Sequence, residues 1–247
     1  MAAASEHVSD PPTEGPRFGS GAMFDGIAER YDAVNRIISL GVDQRWRRRA
    51  VRALGLERFE APHVLDLATG TGDLAIEIVK SHPSVTVLGV DPSPKMLEVA
   101  VRKIHERGLE RRVAFGEGEA EALPLEDASV DGLTIAFGIR NVADRPRGLR
   151  EMARVLRPGA RAAILELTEP ERGLLKPFAR MHIHTFVPAL GGLISGRKEY
   201  QYLERSIAAF PPASRFVEII EENGLRSVEL VKLTFGVAHI FVCERAR

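Results

Sequence analysis

The sequence predicts an α/β fold: a seven-stranded, mostly parallel sheet with one antiparallel strand and helices on both faces. Three observations carry that prediction. Between residues 64 and 167, short runs of Val, Ile, Leu and Ala alternate with amphipathic stretches of helical period, and the runs are apolar on both sides, as doubly covered strands must be. The first run breaks at Gly70-Thr71-Gly72 into the start of a helix. The last two runs, 227–233 and 237–243, are separated only by Thr234-Phe235-Gly236, so they can form a hairpin and reverse one strand.

In chain order, residues 1–20 mix Ala, Ser, Pro and Gly with few large apolar groups and are expected to form a disordered leader. One domain is expected over 21–247. Its first part, 21–60, reads as a helical cover: Ile27, Tyr31, Val34 and Ile38 recur at helical spacing, Gly41 interrupts, and a second helix carries Trp46, Ala50, Val51 and Leu54. After the strand Val64–Leu67 and the glycine turn comes a continuous apolar strand, Val85–Val90, ending in Asp91. Ser93 and Pro94 then suit the N-cap and first position of a helix whose Leu97, Ala100, Val101 and Ile104 share a face. Strands follow at Val113–Phe115 and Val130–Phe137. Leu149, Met152, Ala153 and Leu156 mark another helix, which Arg157-Pro158-Gly159 should end before a strand at Ala162–Leu167. Residues 169–212 contain several Pro and Gly, His182 and His184, and no clean strand; a helical insertion on the substrate side is expected there. A helix at Ser214–Glu222, stopped by Asn223-Gly224, precedes the closing hairpin.

Composition narrows the class of partner. Lys plus Arg and Asp plus Glu number 34 each, so no global field favours nucleic acid. Cys243 is the sole cysteine, which excludes an intrachain disulfide and a multi-cysteine metal site and fits a reducing, cytoplasmic compartment. No metal is expected. No apolar run approaches the roughly 20 residues that span a bilayer. Arg45-Trp46-Arg47-Arg48-Arg49, beside Ile37-Ile38-Ser39-Leu40, could still rest on an anionic membrane surface. The plainer reading, a solvated helix with Trp46 in the core, is the favoured one.

The chemistry gathers at strand ends. Gly70-Thr71-Gly72-Asp73-Leu74-Ala75 fits a dinucleotide turn, and Asp91, about 20 residues on, fits the acid that binds a ribose hydroxyl. Both features suit NAD and S-adenosylmethionine alike. Asp66 discriminates: a carboxylate there repels a pyrophosphate but holds the cationic methionine end of S-adenosylmethionine. A third loop, Gly116 to Pro124 with Glu119 and Ala120, lies after the third strand and could take the adenine edge.

These residues carry a resemblance. Phe24-Asp25-Gly26-Ile27-Ala28-Glu29-Arg30-Tyr31-Asp32 with Asn35, Trp46-Arg47, Leu65-Asp66 through Gly72-Asp73, Glu121-Ala122-Leu123-Pro124, Phe137-Gly138-Ile139-Arg140-Asn141-Val142, Arg154 to Gly159 and Tyr200-Gln201-Tyr202-Leu203 resemble the Rossmann-like class I S-adenosylmethionine methyltransferases. The likeness is closer to the C-methyltransferases of menaquinone and ubiquinone biosynthesis. It implies cofactor contacts at Thr71, Asp91, Glu119 and Ala120, beside Asp66, Gly70 and Gly72. The chain departs from the family pattern at Glu119, where Asp or Asn is usual, and at Ala136, where Ser can stand. His239-Ile240-Phe241 is a shifted form of a family His-Gly and is given no role.

The resemblance implies a polyprenyl quinol as acceptor. Transfer from a sulfonium needs alignment and a dry pocket, and a ring carbon becomes nucleophilic when the neighbouring hydroxyl loses its proton. Arg140 is expected to stabilise that phenolate, with Asn141 orienting it and Tyr31 closing the acceptor side. The expected reaction is C-methylation of demethylmenaquinol to menaquinol. The alternative is the same step on a 2-polyprenyl-6-methoxy-1,4-benzoquinol. An NAD-dependent oxidoreductase and a non-catalytic adenosine-binding module are the rivals from other classes. A cytoplasmic chain touching the inner face of the membrane transiently is expected; homo-oligomerisation is left open.

Overall fold

A computed structural model describes residues 24–39, 41–169 and 197–245. The expected leader 1–20, and His182 and His184 within the expected insertion, lie outside the described residues. Helix α1 (Ala28–Ser39) and α2 (Asp43–Ala53) precede β1 (His63–Leu67), α3 (Asp73–Ser81), β2 (Thr86–Asp91), α4 (Pro94–His105), β3 (Val113–Glu117) and β4 (Val130–Ala136). Then come α5 (Arg145–Val155), β5 (Leu156–Leu167), α6 (Arg197–Ala208), α7 (Ala213–Glu222), β6 (Leu225–Leu233) and β7 (Ala238–Arg245).

The seven strands lie in the order β3-β2-β1-β4-β5-β7-β6, and β7 alone runs against its neighbours. The chain leaves β1 toward β2 and β3, then returns to the other side of β1 with β4. The carboxyl edge between β1 and β4 is therefore the switch point at which open α/β sheets bind ligands.

Alternation within the strands divides the core into two layers. Leu65, Leu67, Leu133 and Ile135 face α5 and α7, packing with Leu149, Met152, Phe216 and Ile220. Val64, Ala163 and Leu165 face the other way, onto Trp46, Ala50, Val51 and Leu54 of α2 and the α3 side chains Leu74, Ile78 and Val79. Full burial of each large apolar side chain contributes about 1.5–3 kcal/mol. Trp46 is buried here and its indole N–H donates to Thr234 Oγ1 at 3.2 Å, so α2 is anchored by its aromatic residue. That is the favoured sequence reading of this helix.

Local signals act as expected at α4, where Ser93 Oγ accepts from the Met96 N–H at 3.2 Å and Pro94 follows it. One boundary differs. The expected helix end at Leu156 and strand start at Ala162 are replaced by a helix ending at Val155 and a strand beginning at Leu156. Leu156 pairs with Val130, and a register shift between Val130 and Gly132 accommodates the intervening residues, with Gly159 at φ +78°. Leu156 is completely buried in this pairing.

Candidate active site

The turn after β1 and the turn after β4 meet at the switch point. Ala68 (φ +50°) and Phe137 (φ +59°) both hold left-handed backbone, a strain concentrated at one place. A Cβ on Gly138 would lie 2.6 Å from the Ala68 Cβ, so only glycine lets the two turns approach.

Asp66 lies beneath the first turn, buried. Its Oδ2 accepts from Thr69 Oγ1 at 2.6 Å and its Oδ1 from Thr134 Oγ1 at 2.7 Å. Burial pushes its carboxyl up to about 6; the two hydroxyls and nearby Arg47 oppose that only in part, and Asp91 adds to it. The site thus holds a carboxylate poised to gain a cation.

Asp91, at the end of β2, accepts the Gly70 N–H at 2.8 Å and the Ser93 N–H at 2.9 Å. Burial raises its pKa against those bonds. It therefore shapes the glycine turn as well as facing it. Gly70, at φ +56°, has no atom within 4 Å of where a Cβ would stand, so the turn's backbone faces open space. Gly72 (φ +79°) packs differently: its missing Cβ would meet Ala100 and Phe115 at 3.2 Å. Glu119 is exposed in the loop after β3, whereas the Ala120 methyl belongs to the core, which leaves its backbone for any ligand. Two carboxylates, an open glycine turn and an acidic loop along one sheet edge fit an adenosyl group with a cationic amino-acid end.

A cluster over Thr71 went unread in the sequence. Thr71 Oγ1 donates to Asp32 Oδ1 at 2.6 Å, and Lys103 Nζ donates to Asp32 Oδ2 at 2.9 Å, to Thr71 Oγ1 at 3.3 Å and also to Asp73. Burial raises the Asp73 carboxyl, but Lys103, Arg47 and Arg36 together hold it below its ordinary value. Asp25 also accepts from Ser93 Oγ at 2.6 Å. The N-terminal segment is thereby tied across the cofactor turn, with Phe24, Ala28 and Tyr31 packed on Met96 and Val99 of α4.

Arg140 stands in a short 3₁₀ turn after β4. Its Nη1 donates to Glu166 Oε1 at 2.6 Å and to the Phe137 carbonyl at 2.7 Å, and its backbone N–H donates to Glu166 Oε2 at 3.2 Å. Desolvation works against the charge, yet Glu166, with Tyr31 and Tyr202 nearby, raises the Arg140 pKa. Its buried Nε has no hydrogen-bond partner. Asn141 does not hold the guanidinium; its Oδ1 accepts from the Tyr202 hydroxyl at 2.9 Å. Glu166 and Phe137 orient the arginine instead. Tyr31, Arg140, Asn141 and Tyr202 are thus brought to one end of the sheet. Glu166 was missed; an acid inside the apolar run Leu165-Glu166-Leu167 at a strand's carboxyl end was the available signal.

The family model of the ubiE/COQ5 methyltransferase family matches residues 18–245. A demethylmenaquinone methyltransferase of Thermus thermophilus is 48% identical over 225 residues, covering 90% of this chain and 100% of that protein. A demethylmenaquinone methyltransferase of Deinococcus radiodurans is 43% identical, covering 90% and 91%. A ubiquinone/menaquinone biosynthesis C-methyltransferase UbiE of Geotalea uraniireducens is 41% identical, covering 90% and 94%. Among solved structures, a putative S-adenosyl-L-methionine-dependent methyltransferase of Methanococcus maripaludis aligns with TM-score 0.65 at 16% identity, over 99% of this chain and 98% of that one. The cyclase SpnF aligns with TM-score 0.69 at 16% identity, over 92% and 95%. Those two likenesses speak for the fold alone, since one architecture hosts different reactions. Family model and relatives agree over nine-tenths of the sequence: the chain belongs to the ubiE/COQ5 methyltransferase family.

Proposed function

We propose that this chain transfers a methyl group from S-adenosylmethionine to a ring carbon of demethylmenaquinol, giving menaquinol. The observation that carries the acceptor half is Arg140: a buried cation fixed by Glu166 at the switch point, with its Nε unpaired and Tyr31, Asn141 and Tyr202 around it. The names of the Thermus and Deinococcus relatives support the naphthoquinol. The relatives named for both quinones keep the methoxy-benzoquinol as the second reading. Membership of a methyltransferase family speaks against the NAD-dependent and non-catalytic rivals.

S-adenosylmethionine supplies an activated methyl on a sulfonium. Asp91 would accept from the ribose, Glu119 and the Ala120 backbone would border the adenine, and Asp66 under the glycine turn would supply the negative charge for the methionine ammonium. On the other side, the Arg140 guanidinium lowers the pKa of the acceptor hydroxyl and stabilises the oxyanion that makes the neighbouring carbon nucleophilic. With both bound, the ring carbon would take the methyl as its bond to sulfur breaks, leaving S-adenosylhomocysteine, and loss of the ring proton would restore the aromatic quinol. Tyr31, from the helical cover, and Tyr202 on α6, from the 169–212 segment, enclose the acceptor and keep water out.

A polyprenyl acceptor resides in a bilayer, so the site rim would meet the membrane transiently. Phe235 is 67% exposed at the β6–β7 turn, at the same carboxyl edge as Arg140. Trp46 ties that turn to α2, whose Arg45, Arg48 and Arg49 are exposed. Among the described residues no helix is long and apolar enough to cross a membrane.

The test is methyl-labelled S-adenosylmethionine offered with each quinol. Label in menaquinol supports the proposal, and label only in the benzoquinol product transfers it to the second reading. No label in either, in protein that binds S-adenosylhomocysteine, would sink it.

A further inference from the structure

We infer that Arg47 is the residue that receives the α-carboxylate of the cofactor's methionine end. The inference rests on S-adenosylmethionine being the cofactor and adds a contact to it. Arg47 belongs to the Trp46-Arg47 pair of the resemblance, but the charge pattern of the basic run does not separate it from Arg48 and Arg49. The structure separates them. Arg48 and Arg49 are exposed, whereas the Arg47 side chain is 11% exposed. Its guanidinium carbon lies 5.3 Å from the centroid of the Phe137 ring.

Phe137 touches both Arg47 and Arg140, through different groups. Its ring carries Arg47, while its carbonyl accepts from Arg140, the acceptor-side cation. Arg47 is on the cofactor side: its charge lowers both Asp66 and Asp73, the acids that bracket the glycine turn. Yet neither acid bonds to it. Asp66 is engaged by Thr69 and Thr134, and Asp73 by Lys103.

The nearest counter-charge is Asp43, one turn earlier on α2, with Oδ2 3.5 Å from Nε. That Nε is buried and has no hydrogen-bond partner. Arg140, Arg145 and Arg161 also have a buried, unpaired Nε, but Arg140 is bound to Glu166, Arg145 donates to the Arg140 carbonyl and lies over the Phe210 ring, and Arg161 stands opposite Gly132, away from the carboxyl edge. The position next to the glycine turn therefore singles out Arg47, not the unpaired atom.

A desolvated guanidinium with few partners calls for an anion, and its planar fork matches a carboxylate. The cofactor brings one to this location. Its amino-acid end is a zwitterion whose ammonium and carboxylate sit on one carbon. A site with only Asp66 would favour the ammonium and repel the carboxylate beside it. Arg47, stacked on Phe137 and close enough to act on Asp66, supplies the opposite charge and completes recognition of the zwitterion.

Calorimetry with ligands that differ in this end tests the assignment. S-adenosylhomocysteine has both charges, decarboxylated S-adenosylmethionine lacks the carboxylate, and 5′-methylthioadenosine lacks the whole amino-acid end. Arg47→Met should weaken S-adenosylhomocysteine about 10- to 100-fold while leaving 5′-methylthioadenosine within about twofold, as expected for loss of one charged hydrogen-bonding partner. The decarboxylated ligand should bind the variant at least as well as the original protein. Arg47→Lys, which keeps the charge without the fork, should fall between and covers a Met variant that folds poorly. Equal losses for all three ligands, or no loss for S-adenosylhomocysteine, would overturn the inference while leaving the cofactor reading intact. Failure of the unaltered protein to bind any of the three would overturn both.

Discussion

Nη1 of Arg140 and Oε1 of Glu166 are 2.6 Å apart at the adjoining carboxyl ends of β4 and β5, and the carboxylate is completely enclosed. The pair makes Arg140 a fixed charge, because Glu166 also accepts from its own neighbour's N–H, Leu167, at 2.8 Å and from the Arg140 backbone. A side chain held at both ends does not need to be ordered when the acceptor arrives.

Breaking that pair from the acidic side leaves a buried cation uncompensated. Glu166→Ala should destabilise the protein by about 3–5 kcal/mol. Thermal unfolding would read this as a fall in Tm of about 10 °C for a chain of this size. Combining it with Arg140→Met should recover much of the loss, since the orphaned charge is gone.

Arg140→Ala and Asp91→Ala should separate the two halves of the site. Asp91→Ala removes the acceptor of the Gly70 and Ser93 N–H groups and should weaken S-adenosylhomocysteine about tenfold or more in calorimetry. Arg140→Ala should leave that affinity near normal and reduce turnover at least about 100-fold. Full turnover in the Arg140 variant would remove it from the mechanism.

Asp66 predicts a pH dependence in two directions. Burial raises its folded-state value to about 6 from 3.8, so the unliganded fold binds the extra proton between those values. The stability this group contributes is fully present below about pH 4 and is lost as pH rises through about 6. Asp66→Asn should therefore stabilise the unliganded protein at pH 7, by about 2 kcal/mol in chemical unfolding. Ligand binding runs the other way: an ammonium needs the carboxylate, so S-adenosylhomocysteine affinity should decline below about pH 6 in the original protein. A variant with Asn at this position should bind more weakly at pH 7 and lose most of that decline.

Phe235 and the exposed arginines of α2 should act together at a membrane. Phe235→Ser should reduce co-sedimentation with anionic liposomes several-fold, and replacing Arg45, Arg48 and Arg49 together by Gln should reduce it about 100-fold, at roughly 1 kcal/mol per basic residue near the surface. Activity on a short-chain, water-soluble quinol should be retained. Sedimentation unchanged in both variants would move the docking surface elsewhere.

Much of the structure around the glycine turn was legible because it is local. A strand that ends in Asp66 and breaks at Gly70 and Gly72, and a second that ends in Asp91 before Ser93-Pro94, declare their turns through backbone constraints within a few residues. Arg140 and Asn141 were legible through resemblance, not through pattern. Arg47 was read with its neighbours because a basic run does not say which of its members turns inward; on a helix, consecutive residues point about 100° apart, and the anchoring of Trp46 decides the rest.

The sequence by itself determined the elements, the two apolar faces of the sheet and the glycine turn. Only the tertiary structure decided the distant partners: Glu166 for Arg140, Thr134 for Asp66, and Lys103 with Asp32 over Thr71. The physical reason is strand order. Local pattern sets which residues lie on a face or at a strand end, but the return of β4 to the far side of β1 and the placement of β5 beside it are outcomes of global packing. That order brings to within 3 Å polar groups that lie 26 residues apart for Arg140 and Glu166 and 68 apart for Asp66 and Thr134.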